Sequence, residues 1–124
     1  MEALAETVFI GVWRSFKVFK RTGAITLYTD KRFKEFQFMP DRHLIINIYD
    51  ETNVKKLADT NQWSFSLKDK KHYLNIFAPK LNYEVVTVNH TVMVLADTVS
   101  EDKIFFAKEK YWLEHLKSNR MIII

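Results

Sequence analysis

A nucleophile with a base in reach, a convergent set of metal ligands, or two facing carboxylates is the least that a catalytic reading of this chain needs. None of its serines stands in a Gly-x-Ser-x-Gly elbow, and Ser64 and Ser66 fall on the wet side of an alternating segment. His43, His72, His90 and His115 are scattered with no two at a ligand spacing, which points to turn and surface roles. Only His115 falls on the apolar stripe of a candidate helix. Glu35, Asp41, Asp50 and Glu51 occur near turns, where solvation accounts for them. No catalytic residue, cofactor or metal ligand is assigned, and a non-enzymatic protein is expected.

One pattern carries chemistry of another kind. Arg14, Lys17, Lys20, Arg21, Lys31, Arg32 and Lys34 interleave with Phe16, Phe19, Tyr28 and Phe33. Basic side chains beside exposed rings are how single-stranded nucleic acid is held. Against this, 19 basic and 15 acidic residues leave a formal charge of only +4, and the rings are needed to fill a core. Nucleic acid is therefore a disfavoured partner.

The elements that must position these residues follow from composition and periodicity. At 124 residues the chain is read as one domain over 1–124, able to bury a core without staples. Aromatics reach 15%, a supply of bulky β-formers suited to pleated surfaces. Two Gly and two Pro exclude a glycine-rich phosphate loop, and zero Cys excludes disulfides and thiolate sites. The first residues lack a signal-peptide pattern and no apolar run is long enough to span a membrane, so a cytoplasmic location is expected unless a leader has been trimmed.

Val8 to Lys20 is expected as a long first strand bent at Gly11, with Phe16 and Val18 on one face and Trp13 on the other. Arg21-Thr22-Gly23 turns into a second strand, and Phe36, Phe38, Ile46 and Ile48 mark two more. Residues 50–61 read as a non-strand insert, because Val54, Leu57 and Ala58 lie at helical spacing. Trp63 to Leu67 is the cleanest period-two segment. Further strands follow through Lys108, and Glu109 to Ser118 reads as a short helix carrying Tyr111, Trp112 and Leu116.

Gly11-Val12-Trp13 at the head of such a meander resembles the lipocalins, and more closely the short bacterial lipocalin-like domains. The nearest local likeness runs from Tyr73 to Leu95. The resemblance implies an all-β fold: an antiparallel meander of eight to nine strands closed as a lipocalin-like β-barrel, with a short C-terminal helix. A sandwich is the structural rival. In the family the first-strand Trp closes one barrel end under a basic residue, so Gly11, Trp13 and Lys108 are the expected closure, Lys standing where Arg is usual. The family's Thr-Asp-Tyr turn is absent. Fatty-acid-binding proteins share Gly-x-Trp but place a helical pair where this chain continues into a strand.

The expected function is binding of a small hydrophobic or amphipathic ligand inside the barrel. Its expected lining is Phe36, Phe38, Ile46, Trp63 and Phe65 from the first half of the chain. Leu74, Ile76, Tyr83, Val85, Met93 and Leu95 complete it from the second. The alternative is a filled barrel serving as an interaction or homo-oligomeric module, joined through Tyr111, Trp112 and the apolar Met121 to Ile124 tail.

Overall fold

Alternating apolar residues become strands through nearly the whole chain in the computed structural model, which describes residues 6–122. A 3-10 turn (Glu6–Phe9) leads into β1 (Gly11–Phe19), β2 (Ile25–Leu27), β3 (Arg32–Phe38), β4 (Leu44–Asp50) and β5 (Asn53–Thr60). Then come β6 (Trp63–Lys68), β7 (Lys71–Phe77), β8 (Lys80–Val88), β9 (Val92–Asp97), β10 (Lys103–Lys108) and the helix α1 (Glu109–Ile122). No helix among the described residues is long and apolar enough to cross a membrane.

Every ladder is antiparallel, in the order β5-β4-β3-β1-β10-β9-β8-β7-β6, with the short β2 paired to β1 off this path. The nine-strand path curls strongly into a half-barrel. An all-β antiparallel meander with a C-terminal helix is thus what the chain forms. The end strands β5 and β6 follow one another in the chain, but no ladder joins them.

Two local expectations are corrected, each by one extra residue. Residues 50–61 are no insert: Asn53–Thr60 is an edge strand on β4. Its register passes from Ile46↔Ala58 to Asn47↔Lys56, so Leu57 is unpaired and the period-two pattern breaks into a helix-like spacing. Exposed Lys55 and Lys56 then guard the free edge against pairing with another chain. In β1 the register passes from Ser15↔Phe106 to Lys17↔Phe105, leaving Phe16 as the extra residue. Trp13 and Val18 therefore share the interior cluster, while Phe16 packs outside, beneath α1.

That outer packing fixes the helix. Phe16, Phe33, Ala107, Trp112 and Leu116 form a second buried cluster between α1 and the sheet, and the Trp112 indole N–H donates to the Ser15 carbonyl at 2.9 Å. Burying one side chain of leucine size contributes roughly 1.5–3 kcal/mol. Two such anchors a turn apart hold a helix that would be marginal in water.

Candidate functional site

At one end of the half-barrel, Gly11 takes φ +127°, a conformation that side chains rarely adopt. A Cβ placed there would lie 2.6 Å from Lys108 Nζ. Freed of that clash, Lys108 reaches the Ile10 carbonyl and sits 4.7 Å from the Trp13 ring centroid. The Trp13 indole N–H donates to the Phe9 carbonyl at 2.8 Å, tying the 3-10 turn to the strand after it. Partial burial pulls the Lys108 ammonium below its ordinary pKa.

The eleven expected lining residues all belong to the interior cluster, and ten of them retain at most 7% of their surface. Walls around a space large enough for a ligand would keep accessible area. Instead the rings touch each other: Phe36 lies 6.1 Å from Tyr83 and Phe38 lies 5.7 Å from Trp63. Phe65 is the partly buried exception, and Phe9 stacks on it with centroids 4.0 Å apart. Phe9, which is not among the expected lining residues, reaches the interior from the 3-10 turn and not from the first strand, where Val8 and Phe9 are expected.

The basic and aromatic residues of the N-terminal third divide between two places: Phe19 stays exposed, with Lys17 over it and over Phe105 at 5.3 and 4.6 Å, whereas the rings nearer α1 are covered. Phe16 and Phe33 are buried under α1, and Arg14 is held over the Phe33 and Trp112 rings at 5.3 and 5.1 Å. Its guanidinium donates to Glu35 at 2.9 Å. Glu35 is 2% exposed, and Gln37, Asn47 and Tyr49 also donate to it, so its charge is met from several sides. Burial lowers the Lys34 pKa and raises that of Tyr28. Trp112 likewise faces the chain's own sheet. Ile123 and Ile124 lie outside the described residues, as do the side chains of Met121 and Ile122.

The histidines stay apart. His43 pairs with Asp59, and His115 stacks on Phe16 with centroids 4.6 Å apart. Among the described residues no three His, Asp or Glu side chains group as a metal site would require.

The site with room lies on the outside of the sheet. Ser66, Tyr73, Glu84, Ala96, Lys103 and Phe19 are successive ladder partners from β6 across to β1. The small Ala96 side chain lowers the middle of this row, and the turn after β9 stands beside it. A hollow of about 840 Å³ results. Two further hollows continue it through Asn75, Asn82 and Thr98, and Tyr73 and Thr98 are shared between neighbours. Asn75 donates to Ser66 Oγ at 3.0 Å and Asn82 donates to the Asn75 carbonyl oxygen of its side chain, a ladder of amides across three strands. The Thr98 N–H and hydroxyl both donate to the Asn82 backbone carbonyl at 3.2 Å, pinning the turn.

Tyr73, Asn82 and Thr98 are the residues that sequence reasoning passed over. The available signal was Asn75 and Asn82 in mid-strand, where asparagine is disfavoured and wants a reason. No protein-family model matches the chain, and no curated protein matches it either.

Proposed function

We propose that this protein is a non-enzymatic binding module whose half-barrel interior is a packed scaffold and whose ligand is met on the outer face of β6 to β10. The observation that carries this reading is the contrast between a ring-filled interior and an outer hollow of about 840 Å³ lined by hydrogen-bonding side chains. Binding sites combine a concavity with a few convergent polar groups. The outer face has both.

Capture of a small apolar ligand in the interior is the second reading, and one observation favours it. Phe65, on the end strand β6, is the one residue of the eleven that stays partly buried, and no ladder joins β6 to β5, so the interior is least closed there. The two readings separate on native mass spectrometry of gently purified protein, followed by solvent extraction. The outer-face reading expects no apolar molecule at one per chain. A lipid-like molecule retained at that stoichiometry would transfer the assignment to the interior.

A further inference from the structure

We infer that the outer groove takes a neutral oligosaccharide, an inference that rests on the outer-face reading above. Four observations lead to that class. The row from Ser66 to Phe19 crosses five inter-strand spacings, roughly 20–25 Å at about 4.8 Å each, so the groove suits an extended ligand. It runs across the strands on the face of the sheet. It therefore offers side chains and not a backbone ladder, which argues against an added peptide strand.

Beside it, in the neighbouring hollows, stand side chains that are both donors and acceptors: the amides of Asn75 and Asn82, which pair with each other two residues along β7 and β8, and the hydroxyls of Ser66 and Thr98. A ligand dense in hydroxyls has the same dual character. An apolar ligand would strip water from these groups without replacing the bonds, which disfavours it.

Charge around the main hollow cancels. Lys20, Arg21 and Lys103 face Glu84, Asp97 and Glu101. Arg21 pairs with Glu101 at 3.9 Å, Lys20 with Asp102 at 3.7 Å, and Lys71 with Glu84 at 3.8 Å. With no field of one sign, neither an anionic nor a cationic ligand is drawn in.

Rings are placed where sugar faces need them. Phe19 and Phe105 line one end of the strip, where Lys17 Nζ lies 4.6 Å from the Phe105 centroid. Tyr73 stands one strand in from the other end, and Phe77, 60% exposed, lies four residues further along β7, beside the Asn75 and Asn82 hollow. Apolar C–H faces of a pyranose chain can lie on such rings while its hydroxyls reach the amides.

The test is an amide chemical-shift titration of the full chain with cellohexaose, maltohexaose and chitohexaose, and with N-acetyltyrosine amide as a non-sugar probe. The expected result is saturable movement of the Tyr73, Asn75, Asn82 and Thr98 resonances with at least one hexasaccharide. Its affinity should change less than twofold between low and high salt. Asn82→Ala and Tyr73→Ala should each weaken it at least tenfold, in variants whose remaining spectrum shows the fold intact. Groove shifts with N-acetyltyrosine amide but with no hexasaccharide would overturn the carbohydrate assignment and keep the groove. Shifts with neither probe would overturn both.

Discussion

Lys108 and Trp13, opposite each other in the β1–β10 ladder, meet with the ammonium 4.7 Å from the indole centroid, in space that a Cβ on Gly11 would invade. Glycine, tryptophan and lysine thus form one unit. The glycine admits the lysine, the lysine covers the ring, and the ring anchors the 3-10 turn through the Phe9 carbonyl.

Gly11→Ala should therefore destabilise the protein by about 1–3 kcal/mol, the cost of a strained backbone conformation for a residue with a Cβ. Lys108→Ala in the same background should relieve the steric part and leave the backbone part. Urea unfolding of the single and double variants checks this. Unchanged stability of Gly11→Ala would remove the special role of the position.

Arg14→Ala should cost about 3 kcal/mol, because it leaves the Glu35 carboxylate, 2% exposed, without its cationic partner. The cost should be lower in a Glu35→Gln background, where no buried charge remains. A double-mutant cycle measures the coupling. Additive effects would mean that Gln37, Asn47 and Tyr49 already suffice.

Burial raises the Tyr83 pKa from 10.0 to about 12, with help from the Asp97 charge. Between those values the folded chain keeps a proton that the unfolded chain has lost, so stability falls as pH rises through that window. At about 1.4 kcal/mol per unit the loss from this group is about 2–3 kcal/mol by its upper end. Tyr83→Phe should flatten that part of the curve. Lys34 and Lys108 act in the opposite sense: their lowered pKa values make stability rise with pH up to the ordinary lysine value. Unfolding curves across the alkaline range separate the contributions.

Phe9→Ala should lose about 3–5 kcal/mol and leave a cavity against Phe65 and Phe38. An apolar cavity of this kind stays dry and takes small apolar guests. Benzene or xenon should bind the variant and not the parent chain. Equal binding by both would show that the parent interior is already open.

How much of this was legible in the residues can be traced strand by strand. Period-two runs such as Trp63-Ser64-Phe65-Ser66-Leu67 translate directly into β6, because one face is dry and one wet. Phe36, Ile46, Leu74 and Leu95 were placed together for the same reason. Bulges escaped: a single additional residue at Phe16 or Leu57 reverses the face of everything beyond it, and no residue type marks the spot. The extent of curl was equally hidden, since it depends on which strands become neighbours.

The outer groove was out of reach for a related reason. Ser66, Tyr73 and Glu84 each read as an ordinary solvent-facing position. They become a row only when β6, β7 and β8 are laid in register, and the dip at Ala96 matters only between Glu84 and Lys103. Filling of the interior was also undetermined, because the same apolar alternation lines a cup or packs it shut. The deciding residue, Phe9, came from a turn that resembled strand.

Amide chemical-shift mapping of a fragment library on the parent chain tests the central claim most directly. The account predicts that hits cluster on Tyr73, Asn75, Asn82 and Thr98 and leave the amides of Phe36, Ile46 and Leu95 unmoved. Saturable shifts concentrated on those interior positions, with the outer face silent, would contradict it.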